Sequence, residues 1–405
     1  MKKLLILLSI FISAQAFSQS PPSQQHVSFE LGSGLNFAFN DSTYFFRIGG
    51  MVQPYVGIRE VGDADAERTL NSRRSYLNFG GSAIKEKVDF FFQFDFSDLN
   101  SLLDAWVRYV PVKDLSLTIG QRQTIANNRE MLIMEDRLQF LDRSLLSEVY
   151  SNSGREFGLF VEYKYSFGDF AIVPQVAVTS GDGKNSFGVD SRDTDLGGFK
   201  YTGRLDVYPL GFFTEGNDLS VADLAHESSP KFVIGGAASI NQGTSEAVGE
   251  GHGEFILFDE LGEEMYPDYR QLYADVVFKY AGFSFLGEYN ISTATNLEGT
   301  FKLASQTEEL LPTEISEFLA LGTGYNAQIG YTTTTGYALD FRYSGISPEF
   351  DTNPNSIVRE QTGYTIGFTK YFKGNDLKVH AAFSSIDFEQ GDDIILAELM
   401  FQVRF

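Results

Sequence analysis

The 405-residue sequence contains no cysteine, so it has no disulfide framework, thiolate metal ligand or thiol nucleophile. Tryptophan occurs once, at Trp106, and proline only 11 times. Leu, Ala, Lys and Glu do not dominate, as they would in a helical protein. Beyond the N-terminus no stretch approaches about 18 uninterrupted apolar residues, which excludes a helical membrane protein. Positive charge is also scarce: 31 Lys and Arg stand against 54 Asp and Glu, a formal net charge of -23. That balance argues against a nucleic-acid partner, whose phosphates attract basic surfaces.

Abundant instead are Phe, Tyr and Gly, at 38, 20 and 39 residues. The N-terminus, MKKLLILLSIFISAQAFSQS, has two lysines, an apolar run from Leu4 to Phe17 and small residues around Ala16 and Ser18, the composition of a signal peptide. The run is too short for a spanning helix of about 20 residues. The expected organisation is a signal peptide over 1–18, a periplasmic lead-in over 19–42 and one large domain over 43–405.

That domain alternates with period two. In VDFFFQFDF, Val88, Phe90, Phe92, Phe94 and Phe96 share one face while Asp89, Gln93 and Asp95 share the other, as in a strand with one greasy and one wet face. A β-prone segment over Ser28 to Asn40 precedes about sixteen such strands, an even number as bacterial barrels require. They fall near 43–60, 71–83, 87–98, 103–112, 115–123, 155–165, 169–180, 197–208, 231–240, 269–280, 282–293, 319–332, 336–346, 361–373, 376–387 and 392–405. Connections alternate in length: Lys85 to Lys87 is tight, Thr124 to Gly154 long, Ser166 to Gly168 tight, Gly181 to Leu196 long. Short turns on one side and long loops on the other mark an outer-membrane barrel. Leu210 to Pro230 breaks the parity, being long on the short-turn side. The expected fold is therefore all-β, a transmembrane antiparallel barrel in a Gram-negative-type outer membrane, closed because an open sheet would expose pairing edges and unbonded backbone to lipid. A barrel of that size leaves a water-filled channel.

By register the lumen receives roughly twelve basic and nine acidic residues, so the acidity lies in the loops. Gly243 to Asp268 carries about eight carboxylates and no Lys or Arg. It reads as a solvated surface segment, or as a site of divalent-cation bridging to lipopolysaccharide or a mouth that repels anions. Asp182, Asp190, Asp193 and Asp195 look calcium-like but miss the spacing of an EF-hand loop, and no metal or cofactor is expected. The loop Thr124 to Gly154 differs: MLIMEDRLQFLDRSLL has apolar residues at near-helical spacing, so it is expected to fold inward as a partly helical constriction.

At this loop the residues become familiar. RRSYLNFGGSAIKEKVDFFFQFDF, DAWVRYVPVKDLSLTIGQRQ and FLDRSLLSEVYSNSGREFGLFVEY, with GLNFAFNDSTYFFRIGGMVQPYV and YTGRLDVYPLGFF, resemble the phosphate-selective porin O and P family over most of the chain. The resemblance implies a channel narrowed by inward-folded loops, a homotrimer, and constriction arginines that draw anions, since a guanidinium fork suits phosphate oxygens. Here Arg122, Arg129, Arg137, Arg143 and Arg155 could supply such a ring, with Arg47, Arg59 and Arg74 as wall neighbours. Glu130, Glu135, Asp136, Asp142 and Glu148 sit among them, and a dense lysine ladder is missing. Each arginine could equally form a wall-to-loop salt bridge that stiffens the barrel. The expected function is passive diffusion of small hydrophilic solutes and ions, general or weakly selective, with anion or phosphate preference left open.

Two other functions compete. A barrel enzyme would need a nucleophile with a base; of His26, His226, His252 and His380 only His380 is mid-strand, with Ser384 further along its face, and no nucleophile elbow, zinc spacing or phosphate loop occurs. A receptor or secretion-associated barrel without general channel activity is the other alternative. Finally, IILAELMFQVRF places Phe401, Val403 and Phe405 on the lipid face and Glu398, Gln402 and Arg404 on the inner one. It reads as the closing strand, and its terminal aromatic resembles the signal that barrels present to their assembly machinery.

Overall fold

The computed structural model describes residues 26–39, 43–99, 101–151, 154–181, 183, 197–248, 255–305 and 308–405. The expected signal peptide lies outside them, as do Asp182, Asp190, Asp193, Asp195 and His252.

Alternation fixes the wall, because each pleat sends one side chain to lipid and the next to the lumen. Phe92 is 39 % exposed and Phe96 68 %, while Gln93 and Asp95 between them are 3 % and 7 % exposed. Two hairpins precede or interrupt the series, and the remaining long strands make a closed 16-stranded antiparallel barrel. They are β3 (Tyr44–Val61), β4 (Glu67–Ala83), β5 (Val88–Asp95), β6 (Leu102–Val112), β7 (Leu115–Gln123) and β8 (Arg155–Tyr163), which continues through the short β9 (Tyr165–Phe167). Next come β10 (Phe170–Thr179), β11 (Lys200–Tyr208), β12 (Lys231–Asn241), β15 (Asp268–Tyr280) and β16 (Phe283–Thr295). The last are β17 (Gly322–Thr332), β18 (Tyr337–Pro348), β19 (Gln361–Lys373), β20 (Leu377–Phe388) and β21 (Ile394–Arg404). Pairing of β21 with β3, from Ile394↔Val61 to Arg404↔Met51, closes the wall. Among the described residues no helix is long and apolar enough to cross a membrane.

Taking the short-turn end as periplasmic, β3 extends below the end of β21. The hairpin β1 (His26–Glu30) and β2 (Gly34–Phe39) fills that gap: β2 pairs with β3 from Leu35↔Ile48 to Phe39↔Tyr44. Its turn docks on the end of β21, where Gly32 N–H donates to the Arg404 carbonyl at 3.1 Å. Gly32 has φ +96° and lies against Asp376, so a Cβ there would fall 2.1 Å from that carboxylate. Phe405 exchanges backbone hydrogen bonds with Gly50 at 2.9 and 2.6 Å.

The long periplasmic connection between β11 and β12 folds up into the barrel. Lys279, fully buried on β15, donates to the carbonyls of Asn217, Ser220 (2.6 Å) and Ala222 (3.1 Å). Its apolar residues Phe213 and Val221 join Ile133 and Leu138 of the 124–154 loop and Leu286 of the wall. At the other end the acidic stretch 243–268 is partly anchored. Its residues Leu257 and Phe258 pair with Glu264 and Met265 in a small hairpin of β13 (Leu257–Phe258) and β14 (Glu264–Met265), and Leu257 packs with Leu310, Ile315 and Leu319. The solvated expectation fails there because the FILF run needs apolar cover; residues 249–254 lie outside the described ones.

Candidate permeation site

The loop between β7 and β8 crosses the lumen rather than the mouth. Its near-helical apolar spacing becomes two short helices, Arg129–Leu132 and Leu145–Tyr150, with a 3-10 turn at Glu135–Arg137 between them. Ser144 caps the second, accepting from Ser147 N–H at 3.4 Å. Met131, Leu138, Phe140, Leu141, Leu146 and Tyr150 are buried, which is where a stripe too large to expose to water must go.

Charged side chains fasten the loop to the wall on every side. Arg129 donates to Asp206 at 2.6 and 3.0 Å and to Asp275 at 2.8 Å, and Arg204 shares both carboxylates at 3.0 and 2.5 Å. Arg155 bridges Asp104 and Glu135, each at 3.0 Å, and Arg143 reaches Glu135 at 3.1 Å and the Glu130 carbonyl at 2.6 Å. Burial by itself would raise the Glu135 carboxyl, but Arg155 and Arg143 outweigh it and hold it well below the usual carboxylate range. Glu130 accepts from Gln328 at 2.6 Å, and its own N–H donates to Glu288 at 2.7 Å. On the far wall Gln139 donates to Asp340 at 2.6 Å, Lys378 to the Leu138 carbonyl at 3.1 Å, and Arg404 pairs with Asp136 at 2.8 Å.

Two cavities flank segment 134–142, one on each side. The periplasmic one, ≈ 590 Å³, is lined along β3 to β6 and includes Arg47, Arg108, Arg137, Arg404, Asp89 and Asp136. The extracellular one, ≈ 250 Å³, lies against β18 to β21 and β4. Between them the loop meets the wall through a hydrogen-bonded belt. Gln53 donates to Gln402 at 2.6 Å, Gln402 to the Asp136 carbonyl at 2.8 Å, and Arg74 to Gln53 at 3.1 Å and to the Leu141 carbonyl at 3.2 Å.

The eight arginines singled out above do not form one ring. Arg129, Arg143 and Arg155 are buried in the fastenings; Arg74 belongs to the belt. Arg47 and Arg137 line the periplasmic cavity with Arg404, and the Arg47 guanidinium has no hydrogen bond or salt bridge among the described residues. Arg122 lies on the inner wall with its guanidinium 5.2 Å from the Phe160 ring centroid. Arg59 is at the mouth, 3.4 Å from Glu67. Register reasoning missed Arg73. A β-bulge shifts the β3–β4 register between Val52↔Ser75 and Pro54↔Ser72, so one residue, Gln53, faces two, and both Arg73 and Arg74 enter the lumen. The Arg73–Arg74 doublet, which breaks the alternation, was the available signal. His380 is fully buried beside Phe140 with neither ring nitrogen hydrogen-bonded, while Ser384 bonds Thr365 at 3.0 Å, so the two do not pair.

A closed wall with lipid-exposed aromatic faces, a polar interior and an inward-folded loop decides the class. The chain is a multi-pass outer-membrane β-barrel. The fold is similar to OprB of Pseudomonas putida (TM-score 0.54, 10 % identity, covering 89 % of this chain and 94 % of that one). It is also similar to the outer-membrane channel DcaP of Acinetobacter baumannii (0.51, 11 %, 90 % and 98 %) and to OmpF of Salmonella typhi (0.50, 12 %, 93 % and 100 %). No family model and no curated protein matches the sequence. The likeness is thus to porin-type barrels as a fold, without singling out the O and P family.

Proposed function

We propose that this barrel is a porin giving passive diffusion of small hydrophilic solutes and ions. The observation that carries the reading is the pair of polar, charged cavities left along one wall, on either side of a loop tied across the lumen. Passage then requires only that the Gln53–Gln402–Arg74 belt part, a local change of hydrogen bonds inside a rigid wall. At the periplasmic cavity the Arg47 guanidinium is free to meet a permeating ion, with Arg137 beside it in a loose 3.7 Å pair with Asp136; Arg129, Arg143 and Arg155 fasten the loop. The selectivity proposed is weak, with a modest anion preference at the periplasmic mouth and no strong phosphate site. Purified protein in a planar bilayer tests this: stepwise conductance is expected, with a reversal potential in a salt gradient reporting the preference. Phosphate block of chloride current at micromolar concentration would overturn the weak-selectivity part.

The belt itself favours one second reading, a receptor or secretion-associated barrel without general channel activity. A folded but electrically silent barrel would select it. The remaining partners proposed are two further copies in a homotrimer, lipopolysaccharide and lipid around the wall, and the barrel-assembly machinery acting on Phe401, Val403 and Phe405. Mass measurement of the detergent-extracted protein decides the trimer.

A further inference from the structure

The extracellular cavity sets a guanidinium and a carboxylate around a small, uncharged stretch of wall. On one side stands Arg342 of β18, whose Nη1 donates to the Asp142 carbonyl at 2.8 Å and lies 3.4 Å from Glu130, and whose guanidinium stacks 4.6 Å from the Phe140 ring centroid. Its Nε and Nη2 have no such partner among the described residues. Facing the cavity from the loop is Glu148, exposed to it, with no hydrogen bond or salt bridge from its carboxylate among the described residues. Glu148 follows Leu145 by three residues in the helix Leu145–Tyr150, so the two share a face. Leu145 seats on β19 at Gly363, where a Cβ would fall 2.9 Å from its Cδ1, so the helix is held close to the wall. The other charges cancel locally. Arg73 is held between Asp142 and Glu398, the latter at 2.7 Å, and Arg143 is spent on the loop backbone and Glu135. The wall between is small and uncharged, formed by Ser344, Gly363, Thr365, Ala382 and Ser384.

We propose that this cavity is a recognition site for small zwitterions, whose anionic group meets Arg342 and whose ammonium group meets Glu148. The inference rests on the channel reading above and names its solute class. A solute of one sign finds one favourable and one repelling group there, whereas a zwitterion finds two favourable ones. At ≈ 250 Å³ the cavity lies below the range of about 300–1,000 Å³ typical of drug-sized ligands, so the solute has few heavy atoms.

The test uses full-length protein in liposomes and a related set: taurine, which is zwitterionic, isethionate, the anion with a hydroxyl in place of its ammonium, and ethanolammonium, the smaller cation with a hydroxyl in place of its sulfonate, with arabinose as a neutral control. Taurine is expected to enter faster than either ion. Glu148→Gln should lower the taurine-to-isethionate ratio about two- to fivefold, the range of an exposed charge pair, and Arg342→Gln should lower the taurine-to-ethanolammonium ratio. Glu148→Gln is the primary variant because its carboxylate holds nothing in place. If arabinose enters but isethionate outruns taurine, or Glu148→Gln leaves the ratios unchanged, the zwitterion site falls and the channel stands. If arabinose does not enter, both fall.

Discussion

Removing Arg129 should free the 124–154 loop while leaving the barrel closed. Its guanidinium makes three hydrogen bonds of 2.6 to 3.0 Å to Asp206 and Asp275, and the Arg129 and Asp275 side chains are 12 % and 0 % exposed. With Arg204 the cluster holds two positive and two negative groups; Arg129→Ala leaves two carboxylates facing one guanidinium. Breaking one partner out of a buried ion pair costs about 3–5 kcal/mol because the remaining charge is stranded. At about 1.4 kcal/mol per tenfold, the population of the loop detached at this point rises by a hundred- to a few-thousand-fold. The loss is local, since Arg129 binds the loop to the wall and not strand to strand. Hydrogen exchange across 124–137 should therefore quicken by that factor, while the β15–β16 amides keep their protection. Single-channel conductance should rise or become noisy. Adding Asp275→Asn restores the balance as an Arg204–Asp206 pair and should recover about 0.5–3 kcal/mol, the usual coupling between touching groups. Unchanged exchange in a folded Arg129→Ala barrel would refute the fastening role.

Glu135 gives a pH dependence whose sign is fixed. Its folded carboxyl is held below the unfolded value of about 4.3, so its contribution is complete above that value and is lost as pH falls through the folded one. Wild-type loop protection should exceed that of Glu135→Gln equally at pH 7 and pH 5, and the gap should close only below about pH 4; a gap that closes between pH 7 and 5 would contradict the Arg155 and Arg143 pairing. Gly32→Ala should undock the N-terminal hairpin from β21, through its positive φ and the clash with Asp376, and lower the thermal midpoint of the purified barrel by the equivalent of about 1–3 kcal/mol; the neighbouring Ser33→Ala should not. Phe405→Ser should reduce the yield of folded barrel in the outer membrane while periplasmic export continues, and normal assembly of that variant would leave Phe405 with its two hydrogen bonds to Gly50 as its whole role.

Much of the wall was legible because period-two alternation is a local property. VDFFFQFDF announces its own two faces, and tight turns such as Ala281–Gly282 fix where each strand must reverse. What was not legible depends on two strands at once or on loops meeting. Arg73 points inward only because Gln53 opposes two residues, a fact of β3 and β4 jointly. The connection between β11 and β12 looked like an exception to the loop-length rule. Phe213 and Val221 within it need Ile133 and Leu138 of another loop as partners, and no pattern inside either segment reveals that. The acidic stretch 243–268 hid an apolar anchor at Leu257 for the same reason.

Charge shows the limit most clearly. A formal net charge of -23 and a near-balanced count of inward residues both describe totals, yet a permeating solute responds only to charges that are not already paired. In a lumen partly sealed from water, ion pairs form wherever geometry allows, because an unpaired buried charge is expensive. Arg129, Arg143 and Arg155 are drawn into pairs with Asp206, Asp275, Glu135 and Asp104, of which only Glu135 belongs to the loop's own carboxylates. Arg47, flanked by Arg137 and Arg404, is left for an anion at one cavity, and Glu148 is left for a cation at the other, beside the open Nε and Nη2 of Arg342. Selectivity in this barrel is therefore decided by the remainder after pairing, so exchanging Arg47 or Glu148 for a neutral residue should shift the reversal potential more than the same change at Arg129, Arg143 or Arg155.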